Sequence, residues 1–241
     1  MLGTIVNFVA VIAGSLIGIF INSGIDKKLG DAILKVLGLA SLFMGLSTAL
    51  GGLLDDDAEA VLFIVSLVLG TVAGEKLDIQ GKMDSLGDRI QAAMGGRGGN
   101  VSQGFVTASL TFCVGTMSIL GALESGLNGN HAILFAKSVL DFTSAMIFSS
   151  TMGVGVMLAG ITVLVYQGGI TLFSAAIGPY ISADMLREVS IVGGIMIFAL
   201  GCNLADIKKF KVANMLPALL VPVIYYLPFV TSIIEGVKNI F

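Results

Sequence analysis

Residues Leu2–Ile21 read LGTIVNFVAVIAGSLIGIFI, twenty positions without a charged side chain. A helix rises about 1.5 Å per residue, so a run of this length matches the roughly 30 Å of hydrocarbon in a bilayer. The same reading carried outward gives seven further runs, at Ala32–Leu54, Ala60–Gly74, Gln103–Leu123, Ala132–Ser150, Gly153–Ile181, Val189–Leu204 and Asn214–Ile234. The sixth is long, and its Gly168-Gly169 pair predicts a kink.

Composition supports the same class. Of 241 residues, 56% are hydrophobic and 12% charged, about half the charged share of a soluble domain, with a mean hydropathy of +0.98. A water-soluble chain of this size could not hide so much apolar surface in one core. The 32 glycines have no collagen-like period and suit closely packed membrane helices. The sequence predicts an all-α, polytopic transmembrane helical bundle, one domain over 1–241 with about eight spans.

Charge sets the expected direction. Lys27, Lys28 and Lys35 lie at the first loop, Lys76, Lys82, Arg89 and Arg97 at the third, and Lys208, Lys209 and Lys211 at the seventh. The alternate loops carry Asp55, Asp56, Asp57, Glu59, Glu124, Asp184 and Glu188, with Arg187 alone against them. By the positive-inside rule the basic loops face the cytoplasm and both termini face out. Within the third loop, Ile79, Met83, Leu86, Ile90 and Met94 mark one helical face. This predicts an amphipathic helix over 78–95 on the cytoplasmic membrane surface. A flexible glycine-rich linker follows at 95–100.

The net charge of −3 and the pI near 5.0 give no basis for nucleic acid as a partner. Cys113 and Cys202 read as small buried hydrophobes. The single histidine, His131, has no cysteine or carboxylate cluster at metal-ligand spacing. No metal or other cofactor is expected. Without a nucleophile–base pair, the sequence does not read as an enzyme.

The fifth span holds the most informative pair. Lys137 and Asp141 are four residues apart and share a helix face. An ionisable group at that depth costs about 2.5–3.5 kcal/mol even on insertion scales, so it should face the bundle interior. Two readings stand side by side: a self-neutralising structural pair, or an acid that binds substrate or ion beside its lysine. Ser144, Ser149 and Thr151 follow as lesser ligand candidates, and the junction through Gly153 and Gly155 reads as a tight turn or as backbone open for coordination. In the fourth span Thr107, Thr111, Thr116 and Ser118 add hydroxyls that commonly bond their own helix.

Small residues at four-residue spacing, Ala10, Gly14 and Gly18 in one span and Ser66, Gly70 and Gly74 in another, mark packing faces within or between protomers. They are the basis for expecting a homodimer. Ile17–Ile21 also resembles Ile177–Ile181, and Leu42–Ala49 resembles Phe198–Ala205. An amide lies ten residues before each of the first pair, Asn7 and Gln167, while Asn203 lies in the second. An inverted repeat would put these amides at a repeat interface, where transporter sites form.

MLGTIVNFVAVIAGSLIG (Met1–Gly18), FCVGTMSILGALESGL (Phe112–Leu127), KSVLDFTSAMIF (Lys137–Phe148) and NMLPALL (Asn214–Leu220) together resemble the YqgA-like bacterial inner-membrane proteins. That resemblance implies a multi-pass protein of the bacterial cytoplasmic membrane and carries no substrate or reaction. LFMGLSTA (Leu42–Ala49) is faintly similar to bacterial lysine exporters, which implies an eight-span arrangement by analogy alone.

The function expected from these residues is a secondary transporter or exporter of a small polar solute, ion- or proton-coupled, working by alternating access. Its site would comprise Asp141, Lys137, Ser144, Ser149, Thr151, Asn7, Gln167 and Asn203. The alternatives are an oligomeric channel, or a structural or regulatory membrane protein without flux. The expected partners are the lipid bilayer and a small-molecule or ion substrate.

Overall fold

The structure, a computed structural model, describes residues 1–22, 27–59, 61–93, 101–227 and 230. The linker expected at 95–100 and most of the last ten residues of the eighth span fall outside them. Among the described residues the chain is helical, with no strand. In order come α1 (Leu2–Asn22), α2 (Lys27–Leu53), α3 (Leu62–Leu77), α4 (Ile79–Ala93), α5 (Val101–Cys113) and α6 (Thr116–Leu127). Then follow α7 (Ala132–Met152), α8 (Val154–Leu172), the short α9 (Ser174–Ile177), a 3-10 turn (Gly178–Tyr180) and α10 (Ala183–Leu204). A 3-10 segment (Val212–Leu219) continues into α11 (Leu220–Tyr225).

Among the described residues, five helices are long and apolar enough to cross a bilayer: Leu2–Ile21, Lys28–Leu53, Ala132–Met152, Val154–Leu172 and Ala183–Leu204. The bent pair α5–α6 makes a sixth. α3 and Val212–Tyr225 are shorter and lie alongside. Phe20, Phe43, Val68, Val139 and Val165 are among many large apolar side chains that face outward. So much exposed apolar surface would aggregate in water but is solvated by lipid tails. The protein is a helical membrane bundle.

Glycines set how the helices meet. Gly3, Gly14 and Gly18 of α1 lie against Leu134, Phe142 and Met146–Ser149 in turn, so α1 and α7 run parallel. Along α2, Gly38, Gly45 and Gly52 meet Ala205, Phe198 and Ile191, so α2 and α10 run antiparallel. Gly194 and Gly201 of α10 return the contact from their side. Gly70 and Gly74 of α3 rest on the backbone of Ala218 and Asn214. A Cβ at Gly14 or Gly74 would stand 2.3 or 1.9 Å from a partner carbonyl oxygen, so only glycine permits these approaches. The glycines of both small-residue stripes, Gly14 and Gly18 and then Gly70 and Gly74, are thus packed within the chain.

Because α1 starts at one end of the bundle, that end serves as the near end and the opposite one as the far end. α7 runs with α1 from near to far, while α5, α6 and α8 run back together. That direction follows from Val101 beside Gly155, Ser109 beside Thr162 and Ala122 beside Thr171. α4 sits at the far end, with Gly87 against Ser102 and the Gln80 amide donating to Asn214 Oδ1 at 2.7 Å. Asp78, in the left-handed region at φ 47°, makes the turn that leads into it. The apolar face read from the sequence is thus used partly against the bundle, since Ile79 and Met83 pack on its core.

Two local expectations are corrected. α8 runs unbroken through Gly168-Gly169 and ends at Leu172; Phe173 N–H still bonds the Gly169 carbonyl at 3.0 Å. Glycine lowers helix propensity, but packing against α1 outweighs it, as is general for buried helices. Conversely the span expected at Gln103–Leu123 is broken at Val114-Gly115, where α5 and α6 meet at a bend of 61°. Gly115 has φ 131° and ψ 151°, a conformation essentially reserved for glycine.

Candidate functional site

Four helices place polar side chains on one another near the middle of the bundle. Asp141 is the tenth of 21 residues in α7, and Lys137 lies one turn nearer the near end. The Lys137 ammonium donates to both carboxylate oxygens of Asp141 at 2.8 Å. Lys137 is 6% and Asp141 4% exposed. An i, i+4 spacing on a regular helix is sufficient to bring them together. The two charges cancel, which meets the first requirement for ions at this depth.

The pair is not alone. Asn7 of α1 donates through Nδ2 to Asp141 Oδ2 at 2.9 Å and to Gln167 Oε1 at 3.1 Å. Gln167 of α8 reaches Ser118 Oγ at 3.5 Å, and Ser118 donates to the Phe112 carbonyl at 2.7 Å. That carbonyl belongs to the last turn of α5, where the break has removed its helical partner. The charge pair is thus tied, amide by amide, to the broken helix. Asn7 and Gln167 are fully buried, and among the described residues Asn7 Oδ1 has no hydrogen-bond partner. An unmatched buried acceptor costs about 1–3 kcal/mol, so this one is an open position for a donor.

The candidate residues separate into two groups. Asp141, Lys137, Asn7 and Gln167 come together. Ser144 is half-buried on α7, one turn beyond Asp141. Ser149 donates to the carbonyls of Ser15 at 3.0 Å and Ala145 at 2.6 Å, which ties α7 to α1. Thr151 bonds the Phe148 carbonyl at 3.1 Å. The junction is a tight turn on Gly153, at φ 73°, with the Gly153 N–H on the Ser149 carbonyl. Gly155 lies against the backbone of Val101. Asn203 is elsewhere, at the far end of α10, where it clamps Phe210 by accepting from its N–H at 2.7 Å and donating to its carbonyl at 2.8 Å.

The sequence reading missed Gly115, Thr4 and Thr171, and gave Ser118 no special weight. Thr4 and Thr171 share a hydrogen bond of 3.2 Å one turn from Asn7 and Gln167. The available signal was Ser118 three residues after Gly115, in a span that also carries Thr107, Ser109, Thr111 and Thr116. Leu42–Ala49 and Phe198–Ala205, which resemble each other, face one another on α2 and α10 through Gly45 and Phe198. Ile17–Ile21 ends a long helix, whereas Ile177–Ile181 covers a short turn.

A cavity of about 670 Å³ lies on the face of α5–α6 that carries Val114 and Ile119. Ser109, Cys113, Thr162, Tyr166 and Tyr180 are the polar residues in its mostly apolar wall. It is a lipid-like space beside the broken helix and does not include the charge pair.

Relatives share this arrangement of length and sequence. The chain is 36% identical over 222 residues to the uncharacterized membrane protein YdfK of Bacillus subtilis (strain 168), covering 92% of this chain and 94% of that one. It is 29% identical over 225 residues to the uncharacterized protein YqgA of Escherichia coli (strain K12), covering 91% and 94%. No solved structure matches it. Residues 2–227 match the model of DUF554, a protein of unknown function, and with these relatives they establish that the chain belongs to the DUF554 family.

Proposed function

We propose that this membrane protein is a secondary transporter or exporter of a small polar solute, coupled to an ion or proton. One observation carries the reading: a buried Lys137–Asp141 pair, bonded through Asn7 and Gln167 to a helix broken at Gly115. Discontinuous helices beside buried ionisable groups build the midplane sites of many secondary transporters. An inert bundle has no need for either feature, since unbroken apolar helices pack at lower cost. Asp141 would be the coupling acid, Lys137 its partner, and Asn7 and Gln167 would bind the solute. The broken segment would be the part that moves.

The shorter α3 and Val212–Tyr225 complete an eight-span bundle on this reading. The near end, with its acidic loops, faces out and the far end, with Lys76, Lys82 and Lys211, faces the cytoplasm of a bacterial inner membrane. The channel alternative relied on small-residue stripes as subunit contacts, and those stripes are buried inside the chain.

The test has two steps. Purified protein is screened for thermal stabilisation by amino acids, organic acids, nucleosides and inorganic ions, because a ligand of the folded state alone raises stability. Any stabilising solute is then followed into vesicles under an imposed pH gradient. Saturable uptake that loses its gradient dependence in Asp141→Asn is the expected result. Gradient-driven uptake unchanged in Asp141→Asn would sink the assignment of the acid.

A further inference from the structure

On α1, α6 and α8 the side chains that meet at the level of Asp141 differ above and below it, while on α7 the fully buried Leu134 lies against Gly3 and Gly121 on the near side and the polar groups run beside it. One turn toward the far end, Asn7 is followed by Val11, Asp141 by Ala145 and Gln167 by Val163, each fully buried. Phe112, also fully buried, closes the same level from α5. These four residues belong to one apolar cluster. One turn toward the near end stand Thr4 and Thr171, hydrogen-bonded to each other at 3.2 Å, with Thr171 also donating to the Ala122 carbonyl at 3.2 Å. A further turn out, Ser125 and His131 Nδ1 meet at 2.9 Å, and His131 is half-exposed at the start of α7.

From this asymmetry we propose that the charge pair is reached only from the near end, along the file His131, Ser125, Thr171, Thr4, Asn7. The ring of Val11, Ala145, Val163 and Phe112 is a closed seal against the far end. Each hydroxyl of the file can exchange its present partner for a passing water or polar solute at little cost. The valine and phenylalanine level offers no such exchange, so a polar solute crossing it would lose its hydrogen bonds outright. Asn7 Oδ1, buried and without a partner among the described residues, is the acceptor at which the file ends. The inference rests on the transporter reading for its purpose but concerns geometry alone.

Thiol labelling tests it without flux. Ser125→Cys and Thr171→Cys probe the file, and Ala145→Cys and Val163→Cys probe the seal. Asn128→Cys, exposed in the near-end loop, reports which face a reagent reaches. A membrane-impermeant cationic methanethiosulfonate is added to one side or the other of oriented vesicles, and labelled peptides are read by mass spectrometry. Cys113 and Cys202 can therefore stay in place. Ser125→Cys and Thr171→Cys should label at least tenfold faster from the side that labels Asn128→Cys. Ala145→Cys and Val163→Cys should label from neither. Labelling of the seal positions from the opposite side, or no labelling of either file position from the Asn128 side, would overturn the proposal. Ser125→Cys is nearly isosteric, so it keeps the test valid even if Thr171→Cys fails to fold. A labelled file with gradient-driven uptake unchanged in Asp141→Asn would leave the access route standing while removing the coupling role.

Discussion

Asn7 and Asp141 are 134 residues apart in the chain and 2.9 Å apart in space, joined by an amide donor on one helix and a carboxylate on its parallel neighbour. The contact exists because Gly3, Gly14 and Gly18 let α1 lie directly on α7. A second polar tie between the same helices, Ser149 Oγ to the Ser15 carbonyl at 3.0 Å, lies two turns farther along.

The charge pair should behave as a unit. Lys137→Met leaves the Asp141 carboxylate buried and unpaired, which costs about 3–5 kcal/mol when a buried pair is broken. Lys137→Met with Asp141→Leu removes both charges and should regain most of that loss. Thermal unfolding in detergent would show the single variant melting well below wild type and the double variant well above the single. A double variant that melts as low as the single would mean the two residues do not act as a pair.

Asn7 is the hub, so its loss should be felt on two helices. Asn7→Leu keeps the branching of the side chain while adding volume, and removes both donated bonds, for a destabilisation of at least about 1–3 kcal/mol. Gln167→Met removes one of the same bonds from the other side. Because the changes share that bond, the double variant should lose less than the sum, with a coupling of about 0.5–3 kcal/mol. Strict additivity in a thermal double-mutant cycle would deny the Asn7–Gln167 contact.

The membrane class and most helices were legible because length and apolarity alone decide them. The charge pair was legible because both members lie on one helix. Asn7 and Gln167 entered the reading through a supposed repeat, and they matter for another reason, namely that each points at the same layer from a different helix. The break at Gly115 was not legible. A glycine in an apolar run is common, and the neighbouring Val114 packs against Gly193 of α10, a contact 79 positions along the chain. Asn203 resembles the other amides in sequence, but only tertiary structure shows that it spends both of its bonds on the Phe210 backbone.

Helical glycines should divide by their neighbours. A Cβ at Gly14 would meet the Phe142 carbonyl oxygen at 2.3 Å, whereas one at Gly51 meets nothing within 4 Å. Gly14→Ala must push α1 from α7 and should cost about 1–3 kcal/mol, as overpacking does. Gly51→Ala should stabilise by up to about 1 kcal/mol, the propensity gain in a helix interior. Melting temperatures displaced in opposite directions would verify the packing. Equal effects would mean the α1–α7 approach is looser than described.

Two loop glycines separate strain from space. Beyond its own chain neighbours, neither Gly115 nor Gly129 has an atom of the described residues within 4 Å of a would-be Cβ, so a substitution at either is opposed by conformation. Gly129, at φ 64°, is in the left-handed region that asparagine also visits, so Gly129→Asn should melt close to wild type and above Gly129→Ala. Gly115, with φ 131° and ψ 151°, lies where asparagine gains nothing, and both Gly115→Asn and Gly115→Ala should lose about 1–3 kcal/mol. The strain is relieved only if α5 and α6 straighten, and straightening would pull the Ser118 hydroxyl from the Phe112 carbonyl it now satisfies. Any Gly115 variant that folds by straightening should therefore return a helical N–H to the Phe112 carbonyl and slow hydrogen exchange at the amides around 116–118, while the Gly129 variants leave that exchange as in wild type. Unchanged exchange in Gly115→Ala would show that the break does not depend on the backbone freedom of this glycine.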